Sequence, residues 1–149
     1  MRQSADKSND HPRHQCGVRA PPRPANPLVL QWIEKQSPPA LHTTAVTEAE
    51  LRLGAAILPL GKRKTHLTKL IEDTLREDFP ERILSFDSDA ALLYADICAH
   101  RRTLGRPISQ FDAQIAAICK AHGATLATRN VADFADIGLK LINPWNEGN

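Results

Sequence analysis

The chain has 149 residues, of which 42% are hydrophobic, which is enough for one domain with a core of ordinary size. Its formal net charge of +2 is too small to identify a nucleic-acid partner, although it does not oppose association with a polyanion. The scattered Cys16, Cys98 and Cys119 and the lack of an apolar run of roughly 20 residues exclude a common zinc centre and a membrane span. We therefore expect a cytoplasmic protein with free thiols.

Residues 1–25 differ in composition from the rest of the chain. They contain one Val and no Leu, Ile or aromatic residue, and they end in a proline cluster. Such a segment buries too little apolar area to offset its chain entropy. We therefore predict a disordered head at residues 1–23 that carries no regular strand.

From residue 26 the sequence alternates helical and strand patterns. Asn26 and Pro27 begin a first helix that ends near Gln36. Four short apolar runs are typical of strands: residues 40–46, 82–86, 124–128 and 139–143. Four segments have helical periodicity: residues 47–58, 62–79, 87–105 and 109–123. Short strands that alternate with helices favour an α/β fold with a parallel sheet covered on both faces.

Polar side chains follow three of these strands or begin the next helix. Glu50 follows the strand HTTAV, Asp112 lies in the first turn after Ser109, and Asn130 with Asp133 follows ATLAT. Ligands of open α/β sheets bind at the carboxyl ends of the strands. If these side chains converge there, they form an oxygen-rich pocket suited to Mg²⁺ or Mn²⁺.

Each of these residues also has a structural interpretation. Glu50 lies three residues after Thr47, and Asp112 three after Ser109, which are the spacings of capping boxes. Asn130 is equally typical of a turn, and Asp133 of a helix cap. Spacing alone leaves both interpretations open.

The segments TEAELRLGAAI, FDAQIAAICKAHGATLATRNVADF and INPW together resemble the PIN domain of the VapC/FitB-like toxin ribonucleases over residues 24–147. The resemblance implies a three-layer fold in which helices flank a short parallel sheet, and four acidic positions that bind one or two divalent metals. Two of these positions match Glu50 and Asp112. The last position matches Asn130 or Asp133, and we favour Asp133 as the ionised group with Asn130 as its neutral partner.

The resemblance also implies a function and partners. The family members are metal-dependent endoribonuclease toxins that are neutralised by a small cognate antitoxin and usually form homodimers. RNA would be bound through its phosphates by nearby cations. The candidate arginines are Arg52, Arg101, Arg102, Arg106 and Arg129. For any single one of them, an ordinary solvated helix face is the preferred interpretation.

The start of the chain departs from the family pattern. Family members open with a strand such as LLDTNVISE, whose Asp is the first metal ligand, and here this strand is expected to be absent or replaced. Residues 9–23, NDHPRHQCGVRAPPR, can be back-translated with permitted codons so that the second frame encodes MTILDTNVVSEPLR. Removing one CG at Pro22 and Arg23 then restores the frame into PANPLVLQW. We hypothesise that the head is an out-of-frame copy of the missing strand.

One further function is compatible with the sequence, and a second is not. A chain without the first strand and its Asp is predicted to be a weak nuclease or a non-catalytic remnant that at most binds an antitoxin. A nucleotide-binding domain is set aside because no Gly-rich phosphate loop follows any strand.

Overall fold

The computed structural model describes residues 15–16, 35 and 40–146. The strands of this part are β1 (Gln15–Cys16), β2 (Leu41–Thr44), β3 (Ile83–Leu84), β4 (Thr125–Ala127) and β5 (Leu141–Ile142). The helices are α1 (Ala45–Ala56), α2 (Lys62–Asp78), α3 (Ser88–Thr103) and α4 (Gln110–Ala121), with a 3-10 helix at Val131–Phe134. The predicted first helix falls outside the described residues, apart from Lys35, which is helical.

The strands form one sheet in the order β3-β2-β1-β4-β5, and every recorded pairing is parallel. Gln15 lies opposite Leu41 of β2 on one side and opposite Thr125 of β4 on the other. Because all strands run in the same direction, their carboxyl ends lie at one edge of the sheet. The predicted parallel α/β architecture is confirmed.

The prediction that the head carries no regular strand is wrong at Gln15–Cys16. This segment occupies the central position of the sheet and pairs on both sides. The hydrogen bonds between strands are formed by backbone N–H and C=O groups, which every residue except proline carries. The low apolar content of this segment therefore does not exclude a strand at the position between β2 and β4. The other residues of the segment 1–23 lie outside the described residues, and their disorder stays a prediction.

Helix α1 starts two residues earlier than predicted. The Oγ1 atom of Thr44 accepts a hydrogen bond of 3.0 Å from the backbone N–H of Thr47, which makes Thr44 the N-cap of α1. The strand predicted at residues 40–46 therefore ends at Thr44. A side chain that caps a helix also fixes where the preceding strand stops.

Helix α4 lies at the centre of the hydrophobic core. Its Ala113, Ala116, Ala117 and Ile118 are completely buried. It packs against α3 and also contacts α1, β4 and the 3-10 helix. Small side chains on several faces of α4 allow this close approach of neighbouring elements. Within the described part of the chain, no helix is long and apolar enough to cross a membrane.

Candidate functional site

The amino-terminal end of α4 lies at the carboxyl edge of the sheet. This helix leads into β4 through residues 122–124 and packs on that strand, so it runs antiparallel to it. The first turn of α4, which contains Asp112, therefore lies near the residues that follow β4. This topology brings Asp112 and Asn130 to the same edge.

Elements that carry the other two predicted acids also contact α4. Glu50 is on α1, which contacts α4, and Asp133 is on the 3-10 helix, which contacts α4 as well. The predicted positions are therefore on neighbouring elements. Among residues 15–16, 35 and 40–146, however, no three His, Cys, Asp or Glu side chains form a group that could hold a metal ion.

Asp112 is the most buried of the predicted site acids, with 7% of its surface exposed. Its backbone N–H donates a hydrogen bond of 3.2 Å to the Oγ atom of Ser109, the N-cap of α4. The predicted cap at Ser109 is thus confirmed. This bond uses the backbone N–H of Asp112 and does not involve its carboxylate.

Glu50 does not take part in the capping box that its spacing indicated. Helix α1 begins at Ala45, so Thr47 lies inside the helix and is buried. Glu50 is therefore in the second turn, where it is half-buried. The structural interpretation of Glu50 as a partner of a Thr47 cap is wrong.

Asn130 and Asp133 form the turn that follows β4. The N–H of Asn130 donates to Thr128 Oγ1 at 3.1 Å, and its carbonyl accepts from the N–H of Asp133 at 3.1 Å. The turn interpretation of Asn130 is confirmed. Asp133 lies within the 3-10 helix with an exposed side chain, so its interpretation as a helix cap is wrong.

Two buried threonine hydroxyls at strand ends were not predicted to shape this edge. Thr44 ends β2 and Thr128 follows β4, and both are almost completely buried. Thr44 Oγ1 also lies 3.0 Å from Thr47 Oγ1. The hydroxyl of Thr44 holds the start of the helix that carries Glu50, and the hydroxyl of Thr128 accepts a hydrogen bond from the N–H of Asn130. The runs HTT and LAT, in which Thr ends an apolar strand, were the sequence signal.

The candidate arginines separate into three environments. Arg101 is only 5% exposed and is bonded to backbone carbonyls, so the preferred interpretation as a solvated helix face is wrong and the side chain is not available as an RNA contact. Arg52 is ion-paired with Glu48 and Glu72, and Arg106 with Asp136. Arg102 and Arg129 are exposed, and Arg129 lies two residues after β4 at the carboxyl edge.

The ion pair between Arg52 and Glu72 changes the pKa of the glutamate. The hydrogen bond from Arg52 holds the pKa of the Glu72 carboxyl below its ordinary value, with the charge of Arg52 acting in the same direction. Arg52 also lines a cavity of about 250 Å³ between α1 and α2, together with Ala55 and Ile71. None of the predicted acids lines this cavity.

Comparisons with known proteins give one consistent result. Residues 22–139 match the family model described as the PIN domain. VapC ribonuclease Y4jK of Sinorhizobium fredii is 43% identical over 117 residues, which are 78% of this chain and 84% of that protein. Toxin FitB of Neisseria gonorrhoeae is 37% identical over 131 residues, which are 87% of this chain and 94% of that protein. The crystal structure of FitAcB from Neisseria gonorrhoeae is similar with a TM-score of 0.77 and 37% identity, covering 85% of this chain and 90% of that chain.

Proposed function

This chain belongs to the PIN domain family, and we propose that it is a metal-dependent endoribonuclease that acts as the toxin of a toxin–antitoxin pair. The observation that carries the proposal is the position of Asp112. Its buried carboxylate is on a helix that contacts both the helix of Glu50 and the 3-10 helix of Asp133. The names of the relatives, a VapC ribonuclease and the toxin FitB, support the same activity.

The donor atoms at this edge fit a hard divalent cation. The proposed ligands are drawn from the carboxylate oxygens of Glu50, Asp112 and Asp133 and the amide oxygen of Asn130, and no three of the acids are grouped among the described residues. Mg²⁺ commonly binds through one or two carboxylates and completes its coordination with water and substrate phosphate. A site without three clustered acids among the described residues is therefore compatible with Mg²⁺ or Mn²⁺. When bound, such an ion activates water and neutralises charge on the scissile phosphate.

The cations of the chain contribute unequally to RNA binding in this proposal. Arg129 lies two residues after β4 at the carboxyl edge, where its exposed guanidinium can contact a phosphate. Arg102 is also exposed. Arg52 and Arg106 are engaged with carboxylates, so either of them has to exchange an ion pair for a phosphate contact. We therefore expect Arg129 to contribute most to RNA affinity.

The partners follow from the family. We propose that a small antitoxin binds this protein, as the toxin role of its relative FitB implies, and that two copies form a homodimer. A second candidate function is a non-catalytic remnant that retains only antitoxin binding. It is favoured by one observation: the central strand β1 consists of Gln15–Cys16, whereas the family opening has an Asp on this strand.

An RNA cleavage assay with Mg²⁺, Mn²⁺ or EDTA tests the proposal. We expect weak metal-dependent cleavage by the purified chain and its loss in Asp112→Asn. Asp89→Asn is the matched control, because Asp89 is also in the first turn of a helix but is exposed. Cleavage that persists with EDTA or in Asp112→Asn would refute the proposed site. A folded chain that cleaves no RNA but binds an antitoxin would instead identify the remnant.

A further inference from the structure

Three cationic side chains hold the loop between β4 and β5. Arg101 of α3 donates to the carbonyls of Asp133 and Ala135, and Lys120 of α4 donates to the carbonyl of Ile137 at 3.0 Å. Arg106 adds an ion pair with Asp136. The side chains of Arg101 and Lys120 thus bond to every second carbonyl of the segment 133–137.

Arg101 differs from the other two cations in its burial and in the position at which it acts. Its Nη1 atom lies 3.0 Å from the oxygen of Asp133 and 2.9 Å from that of Ala135. Its Nε atom donates to the carbonyl of Arg106 at 2.6 Å. One planar guanidinium therefore ties the end of α3 and the following loop to the 3-10 helix. Arg106 is exposed, and Lys120 acts further along the loop.

A buried arginine whose hydrogen-bond partners are backbone carbonyls is suited to fixing a main-chain conformation. A charged donor forms stronger hydrogen bonds than a neutral one, and the planar fork sets the direction of each bond. Here the fixed backbone belongs to a proposed metal ligand, because the carbonyl that Arg101 binds is that of Asp133 itself.

We propose that Arg101 is a positioning residue of the nuclease site, which holds the backbone of residues 133–135 so that the carboxylate of Asp133 faces the bound metal. This inference rests on the proposed function. Arg101 does not contact RNA, and its effect is exerted through Asp133. Residues that orient metal ligands commonly change metal affinity or activity by about 10- to 100-fold when they are replaced.

The test compares Arg101→Met and Arg101→Lys with Lys120→Met in the full chain. Lys120→Met removes a cation–carbonyl bond from the same loop, but at Ile137. Three quantities are measured: hydrogen exchange of the peptide that contains residues 130–135, Mn²⁺ affinity by electron paramagnetic resonance, and kcat and KM for RNA cleavage.

For Arg101→Met we expect faster exchange in this peptide, Mn²⁺ affinity lowered about 10- to 100-fold, and a lower kcat with little change in KM. Arg101→Lys should recover part of the affinity, because Lys retains the charge but not the fork. Lys120→Met should leave Mn²⁺ affinity near that of the parent chain. If Arg101→Met does not fold, the proposal is tested with Arg101→Lys. Mn²⁺ affinity and hydrogen exchange of residues 130–135 like those of the parent chain in that variant would contradict the proposal.

Other outcomes separate this inference from the proposed function. Equal losses of Mn²⁺ affinity in Arg101→Met and Lys120→Met would overturn it, because they would show general loop stabilisation. Parent-like Mn²⁺ binding in a folded Arg101→Met would also overturn it while the nuclease proposal stands. A parent chain that neither binds Mn²⁺ nor cleaves RNA would refute the proposed function and this inference together.

Discussion

Replacing residues 9–23 with MTILDTNVVSEPLR should stabilise the domain and give it strong metal-dependent ribonuclease activity. The described part of β1 pairs two residues with β2, opposite Leu41 and His42, whereas β2 has four residues. A strand that contains TILD can pair along the whole of β2. It also places Ile and Leu in the centre of a sheet that is covered by helices, where apolar side chains are favoured.

The expected stabilisation can be worked from these differences. Burying Ile and Leu contributes about 1.5–3 kcal/mol each, and two further ladder hydrogen bonds add about 0.5–1.5 kcal/mol each. Ordering two more residues costs about 1–2 kcal/mol each. The net gain is of the order of 3 kcal/mol, which corresponds to a rise in Tm of about 10 °C for a domain of this size.

The assay combines thermal unfolding, followed by circular dichroism, with RNA cleavage in Mg²⁺, Mn²⁺ and EDTA. The control is a second replacement in which the Asp of ILDTN is changed to Asn. This control restores the strand without the carboxylate, so we expect it to share the higher Tm but not the activity. The comparison therefore separates the effect of the strand from that of the metal ligand.

Two results would refute this reasoning. Equal Tm values and equal metal-dependent cleavage by the original and replaced chains would show that the central strand and its Asp are dispensable. A well-folded replaced chain that cleaves none of a varied set of RNAs would favour a binding role for the domain.

Three further predictions follow from particular contacts. Thr44→Ala should lower the free energy of unfolding by about 0.5–2 kcal/mol through the lost N-cap, as measured by urea denaturation. Arg52→Met should raise the pKa of Glu72 in an NMR titration. Because that pKa is lowered in the folded chain, the stabilisation by this pair is present above the ordinary pKa of Glu and is lost as the pH falls through the lowered pKa. Asp133→Asn should weaken Mn²⁺ binding more than Asn130→Ala, and the reverse order would assign the last acidic position to Asn130.

The helices could be predicted from the sequence because the interactions that begin and end them are local. Asp87 accepts a hydrogen bond from the N–H of Ala90 at 3.0 Å, and Ser109 caps α4 in the same way. Gly105 and Gly123 follow the ends of α3 and α4 with φ angles of 68° and 59°, a conformation that favours glycine. Each of these signals is contained within a few residues, so no tertiary contact is needed to recognise it.

The strand β1 and the role of Arg101 could not be predicted because both depend on distant parts of the chain. Gln15–Cys16 form a strand because β2 and β4 present unpaired backbone groups on either side. Arg101 appears in the sequence as one of several arginines near the end of a helix. Its distinction is burial against carbonyls more than 30 positions away, at Asp133 and Ala135. Only the folded chain reveals which arginine is structural.

Folding and catalysis therefore draw on different parts of this chain. The described core around α4 is built from α1, α3, α4, β4 and the loop that contains Phe134 and Ile137. All residues of this described core lie after position 45, so we expect the scaffold that is proposed to bind an antitoxin to persist when the central strand changes. The proposed metal site is more demanding, because a missing carboxylate at the strand edge cannot be replaced by packing elsewhere. A change confined to the head is thus expected to impair cleavage before it abolishes partner binding.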